Sequence, residues 1–419
     1  MQKILNKKNN VLIKFYIIIL ALSSIDFFSF LYFPKKSIQF LEIGLLAILT
    51  LVIVYKQNPI NNHFKNFSLI FKVLIFTVII SVFLVTIIRN QSLSLSVYAS
   101  LPIFYFLIYW LFHKYDIDQK WLLKLIVSLG SIWVFISIIQ SIIPNNLILF
   151  KSKDLDILDL AKRSRGLITR IQFQDVRYAI FLLLFLINKY VLLKKIRLLI
   201  FCLFTVYAIY LTGTRQLIFL IPFMFLIAII FSDYNLITRN LLLTILFIPI
   251  IILVGVFLFP YFNFLIELTF SQIESSNFNR VQSFYFFLFD YWPDYNKIIS
   301  FLFGNGPHHF QSDYGKEIEY IGKYLRLYRS DVGLIGALNK FGFIYVLLTI
   351  VFYIKILRSY VSEEFRFLKF FIIFLLLTSF SGANFFEKPS IILIFAAISY
   401  IVDLQNQNYN KFETVNNDD

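Results

Sequence analysis

The chain has 419 residues, of which 59% are hydrophobic and only 15% charged, with 52 phenylalanines and a mean hydropathy of +0.76. Soluble domains are roughly half apolar and a quarter charged, so a water-surrounded globule is excluded for most of this chain and lipid is its solvent. One cysteine (Cys202) and four histidines rule out a disulfide framework and leave little for a metal centre, while a net charge of +15 in so apolar a chain speaks for topology signals and anionic lipid or phosphate rather than nucleic acid.

Runs of about 20 apolar residues cross the hydrocarbon as helices. In chain order the candidates are Val11 to Phe33, Ile38 to Tyr55, Ser68 to Ile88, Leu93 to Phe112, Trp121 to Ile143 and Asp175 to Leu193. The second half continues with Arg197 to Leu211, Thr212 to Phe231, Leu241 to Pro260, Asp331 to Ile354, Phe367 to Phe385 and Pro389 to Val402. The first run is of span length and ends at Pro34 without a small-residue cleavage site, so it reads as a span and not as a signal peptide. The least obvious division is at Gly213. Arg197 to Phe231 would be about 52 Å of helix, too long for one crossing and enough for two, and Gly213 supplies the turn. The expectation is an all-α polytopic membrane protein of about twelve spans, with a membrane domain over residues 1–404 and a polar, disordered tail over 405–419.

Charge placement tests this count. With Lys3, Lys7 and Lys8 holding the N-terminus in the cytoplasm, the even-numbered loops collect Lys56, Lys65, Lys114, Lys120, Lys189, Lys194 and their successors. The short outer loops hold only Lys35, Lys36, Arg89, Arg215 and Lys388. Both termini are then cytoplasmic, the pattern expected when basic loops stay inside.

Two outer loops go against that pattern. The fifth, Pro144 to Gln174, carries Arg163, Arg165 and Arg170; the ninth, residues 261–330, carries Arg280, Arg326 and Arg329. Long loops translocate whatever their charge, but the fifth is short, and an anionic ligand handled outside would explain both. The ninth loop is either functional or disordered at such a length. Its Phe284, Tyr285, Phe286, Phe287, Phe289, Tyr291 and Trp292 favour a folded cap, because disordered segments are poor in aromatics.

Several residues in these loops carry chemistry. Arg215 lies at the outer end of a span beside Gly213 and Thr214, where it either snorkels to the interface or marks a substrate path. Arg165 precedes Gly166, which permits close approach of a ligand, and Arg280 opens the aromatic segment. Guanidinium forks match phosphate oxygens, so Arg165, Arg215 and Arg280 are candidates to converge on a pyrophosphate. FGNGPHHF (Phe303 to Phe310) reads as a tight turn, with His309 as either a surface residue or a general base. Asp331 either caps the tenth span or takes a proton. Asn339 and Lys340, inside that span, are expected to face a polar cavity, and Asp26 and Glu42 to pair with basic groups.

Taken together, RSRG before the sixth span, TGTRQ at the eighth, NR leading into aromatics, LFGNGPHHF, and RSDVGLIGALNKFGF resemble the O-antigen polymerase and O-antigen ligase superfamily of bacterial envelope glycosyltransferases. The resemblance covers most of the chain through short motifs in a shared order. It implies a GT-C-like fold with a large periplasmic loop between spans 9 and 10, in the bacterial inner membrane. It further implies metal-independent glycosyl transfer, without cofactor, between undecaprenyl-pyrophosphate-linked glycans that serve as donor and acceptor, with a chain-length regulator protein as a partner. Ligases of this superfamily carry a His-Asn pair eleven residues before a glycine; here Asp331 and Val332 precede Gly342, which favours a polymerase. A ligase and a flippase for the same lipid-linked units are the alternatives. The resemblance places Asp331 or His309 as the base and the three arginines at the departing pyrophosphate.

Overall fold

The computed structural model describes residues 2–24, 44–46, 48, 66–142, 164–165, 168–169, 176–212, 215–231, 279–293, 297–379 and 388–417. In chain order the helices are α1 (Gln2–Ser24), α2 (Ser68–Ile88), α3 (Leu93–Ser100), α4 (Leu107–Lys114), α5 (Gln119–Ile142), α6 (Arg177–Leu193), α7 (Ile196–Leu211) and α8 (Arg215–Ile230). They continue as α9 (Asn279–Tyr285), α10 (Lys297–Phe303), α11 (Asp313–Tyr324), α12 (Gly333–Arg358), α13 (Phe367–Thr378) and α14 (Pro389–Asn417). Among the described residues the strands are a two-residue antiparallel pair, β1 (Ser164–Arg165) and β2 (Ile168–Thr169), with Arg165 facing Ile168.

The expected all-helical membrane class holds at this level. Among the described residues, five helical stretches are long and apolar enough to cross a membrane: Ser68–Ile88, Leu93–Lys114, Gln119–Ile142, Arg329–Arg358 and Pro389–Tyr409. The expected second and ninth spans, and Asp26 and Glu42, lie essentially outside the described residues. α14 runs on to Asn417, and Gln405 Nε2 donates to Gln119 Oε1 at 3.0 Å.

The helices group into two compact units. In the unit that holds residues 130–278 and 363–374, α6 and α7 pack together across the link Lys194–Lys195, where Lys194 takes a left-handed φ of 53°. Phe181 meets Phe367 and Phe371 edge-on at 5.3 Å each, and Lys189 pairs with Glu364 at 2.7 Å.

The other unit holds residues 1–129, 279–362 and 375–419. Its core runs along α14, whose residues from Ile391 to Ile398 are all buried. Pro102 explains why the Leu93–Lys114 stretch is not one regular α-helix: without an N–H it cannot close the α ladder, and Leu101–Phe106 tightens to a 3₁₀ turn. Halfway along α14, Asp403 is wholly buried, yet its carboxylate is well served. Oδ2 accepts from Tyr109 Oη at 2.5 Å and lies 3.1 Å from His113 Nε2, and Oδ1 accepts from Asn66 N at 3.2 Å.

The cap is tied to α12 by an interlock of backbones. Gly342 breaks the helix with φ 86° and ψ 174°, a conformation essentially reserved for glycine. In the turn before this break, the carbonyls of Asn339 and Lys340 accept from Asn305 N (2.8 Å) and Gly306 N (2.9 Å) of the FGNGPHHF turn. A Cβ on Gly342 would stand 2.2 Å from Leu302 O, and one on Gly304 would stand 2.3 Å from Lys340 O. Each glycine therefore admits the other segment's backbone. Asn339 corrects its expectation: its side chain is fully buried and serves as a fastener, with Nδ2 donating to Phe287 O (3.0 Å) and Tyr291 O (2.9 Å). Those carbonyls belong to and adjoin a π-turn, Phe286–Asp290, that ends α9.

Candidate anion-binding site

The interlock fixes Tyr291, and Tyr291 becomes the floor of a cationic cluster. Arg89 follows the last residue of α2, Tyr314 sits in the first turn of α11, and Arg329 opens the 3₁₀ turn Arg329–Val332 before α12. Ser312 starts α11 by accepting from Gly315 N at 2.9 Å, which sets the direction of Tyr314. Buried Gln91 secures the same loop: Nε2 donates to Pro307 O at 3.0 Å, and Oε1 accepts from His309 N at 2.9 Å. Val85, Phe287, Ile321, Leu327 and Val332 pack with the two tyrosines as one apolar cluster beneath the charges.

The guanidinium carbon of Arg89 lies 4.9 Å from the Tyr291 ring and 5.2 Å from that of Tyr314. That of Arg329 lies 5.3 Å and 5.6 Å from the same two rings. Two cations thus share one pair of aromatic faces, an arrangement that the ring quadrupoles favour and mutual repulsion opposes. Among the described residues the countercharge is Glu317, 3.9 Å from Arg89 Nη1, and it already accepts from Tyr291 Oη at 2.8 Å. Burial pushes the Tyr291 hydroxyl well above the usual phenol range, with Tyr314 adding to the rise and the two arginines only partly offsetting it. The phenol is therefore a donor and does not serve as a counter-anion.

Arg329 Nη2 donates to Tyr314 Oη at 2.7 Å. Its Nε and Nη1, together with Arg89 Nε, are buried and have no hydrogen-bond partner among the described residues. An unpartnered buried donor costs about 1–3 kcal/mol, and more when charged, so three at one spot are not explained by packing. His308 stands beside them, its ring 6.2 Å from that of Tyr314, with Nδ1 likewise buried and unpartnered among the described residues. Burial first, then Arg329, Lys340 and His309, hold its pKa well below the ordinary value of 6.5. The imidazole is neutral at physiological pH. The cluster can accept a small polyanion, with the guanidinium N–H groups donating to its oxygens and the tyrosine faces excluding water.

Arg165 is in the β1–β2 pair and Arg215 is the first residue of α8, but both side chains lie outside what is described. Arg280 is exposed on α9. His309 is buried rather than on the surface, its ring 5.3 Å from Tyr98 and its Nδ1 3.3 Å from Gln311 N. Asp331 is half-buried with Oδ1 3.3 Å from Ser330 Oγ, and the capping role expected of it is replaced: α12 starts at Gly333, flanked by Val332, with no side-chain cap. Sequence reasoning did not single out Arg89, Tyr291, Tyr314 or Arg329 as site residues. The available signal was an arginine closing a span within a loop (Arg89 to Ser92) too short to translocate for its own sake.

Among the described residues no group of three or more His, Cys, Asp or Glu side chains is arranged to hold a metal ion. Comparison of the chain with protein-family models, curated proteins and solved structures gave no match.

Proposed function

We propose that this chain is a metal-independent membrane glycosyltransferase. It joins undecaprenyl-pyrophosphate-linked oligosaccharide repeat units into O-antigen, capsular or exopolysaccharide on the outer face of the bacterial inner membrane. The observation that carries this reading is the Arg89–Arg329 pair, whose buried unpartnered N–H groups suit the oxygens of a departing pyrophosphate. In the reaction an acceptor hydroxyl oxygen attacks the anomeric carbon of the donor sugar. The bond from that carbon to the pyrophosphate oxygen breaks, its electron pair leaves with the pyrophosphate, and the hydroxyl proton passes to a base. Asp331 and His309 remain the sequence-derived candidates for the base, and Arg165, Arg215 and Arg280 for further phosphate contacts. About twelve spans, cytoplasmic termini, a GT-C-like fold and a chain-length regulator as partner belong to the same proposal.

Deletion of the chromosomal gene tests the reading through the glycan that survives. Glycan limited to one repeat unit is the expected result. Free polymer that is never attached would replace the reading by a ligase, and absence of outer-face glycan by a flippase. Complementation with Arg329→Lys then tests the site: the fork geometry is lost, and shortened ladders at normal protein level are expected.

A further inference from the structure

A second cationic feature lies at the other end of α12, away from the cap. Lys355 and Arg358 stand in the last turn of this helix, on the wall of a groove of about 710 Å3 between α12 and α14. Beyond them the chain turns at Ser359, and Tyr360 stacks on Tyr409 with ring centroids 4.3 Å apart. Val351 and Ile354 line the same groove one turn back into the span. These two aliphatic and two aromatic side chains are 38–46% exposed.

Basic groups in a last turn complement the helix dipole, and that alone would account for the charges. It does not account for a groove in which an aliphatic wall, two cations and an aromatic rim come together. Lys355 is held in place, with Nζ donating to Asn66 O and lying 5.5 Å from the Phe67 ring. Arg358 is exposed, and among the described residues it pairs with no carboxylate. Among the described residues no acidic side chain lines the groove. Each element matches a part of a phospholipid at the edge of a bilayer: the aliphatic wall an acyl chain, the aromatic rings the interfacial zone, and the cations a phosphate.

We propose that this groove binds one anionic phospholipid. The headgroup phosphate lies against the Arg358 fork and the Lys355 ammonium, and an acyl chain lies along Val351 and Ile354. The site is independent of the proposed glycosyl transfer, and either can fail without the other.

The full chain, purified and delipidated in an uncharged detergent, is titrated with phosphatidylglycerol, phosphatidylcholine or inorganic phosphate. Retained lipid is counted by native mass spectrometry and unfolding is followed by heating. Phosphatidylglycerol is expected to be retained at one copy and to raise Tm, at least fivefold more tightly than phosphatidylcholine. Arg358→Gln should weaken its retention about fivefold, the factor expected for one basic residue at a lipid surface. Val351→Asn should also weaken it, through the acyl wall. Arg326→Gln, the same charge change at an exposed position of the cap, should leave it unaltered. Equal retention by the Arg358→Gln and unaltered chains overturns the proposal, as does equal loss with Arg326→Gln. Stabilisation by inorganic phosphate as large as that by lipid would identify a soluble anion as the occupant instead.

Discussion

Two constellations of buried ionisable groups sit in the same compact unit and are finished in opposite ways. Around Asp403 both carboxylate oxygens are engaged, by Tyr109, His113 and Asn66, and the residue is 0% exposed. Arg89 and Arg329 are half-buried over an apolar and aromatic cluster, and three of their guanidinium nitrogens are left without partners among the described residues. A buried charge tolerates enclosure when its hydrogen bonds are closed within the fold. The first constellation is thus a fastener, joining α14 to α4 and to the start of α2. The second leaves donors open among the described residues, as the proposed pyrophosphate site requires. Completeness of hydrogen bonding among the described residues is the contrast that matters here, beside the deeper burial of Asp403.

The widest separation should come from cutting the fastener. Asp403→Ala leaves His113 and Tyr109 facing each other across a cavity and is expected to cost about 3–5 kcal/mol, read as a lowered thermal or denaturant midpoint in detergent. A change under about 1 kcal/mol would show that this cluster contributes no more than an exposed ion pair. Arg329→Ala should behave in reverse. Polymer formation should fall by on the order of 100-fold, since each charge-assisted hydrogen bond to the ligand is worth about 1.5–3 kcal/mol. Stability should change little, because removing an under-partnered cation relieves desolvation while losing the bond to Tyr314.

Gly342→Ala probes the frame on which the second cluster rests. It places a side chain on a backbone at φ 86° and 2.2 Å from Leu302 O, and about 2 kcal/mol or more of destabilisation is expected, with polymer length reduced in parallel. Unchanged melting with Ala would mean that the interlock does not constrain the cap. The smallest effect is expected at His308. Its folded pKa lies below its unfolded value of 6.5, so below that pH the unfolded chain binds the extra proton first. Stability is therefore full above about pH 6.5 and declines as the pH falls from there toward the folded pKa. His308→Gln should flatten the decline between pH 6.5 and 5, which unfolding midpoints across that window would measure.

The membrane class and several helix limits were legible because they depend on runs of like residues. Ser68 to Ile88 is bounded in the structure as the apolar run bounds it, and Asp175 to Leu193 and Arg197 to Leu211 recur within two residues as α6 and α7. Within the segment whose aromatics favoured a folded reading, residues 279–293 and 297–330 form helices and turns. The cationic site was not legible, because residues 89, 291, 314 and 329 come from separate segments, and only contact between those segments gives any of them meaning. Asn339 shows the same limit from the other side. A polar residue in a span reads as a cavity liner, whereas here it closes the carbonyls of a π-turn that no periodicity announces. Asp331 has the composition of a cap residue but precedes Gly333 by two positions, and the intervening 3₁₀ turn moves it off the helix start.

The paired glycines also set how this protein can be cut and rejoined. Gly304 and Gly342 each make room for the other segment's main chain, and the hydrogen bonds from Asn305 and Gly306 to Asn339 and Lys340 cross the same junction. The turn and the broken helix therefore form one cassette, although 34 residues separate the amides of Asn305 and Asn339 along the chain. A chimera that exchanges residues 297–312 with those of another cap, but keeps its own residues 333–345, brings together two surfaces that were shaped for different partners. Grafts that carry both segments preserve the junction, and with it the seat of Tyr291 beneath the arginines.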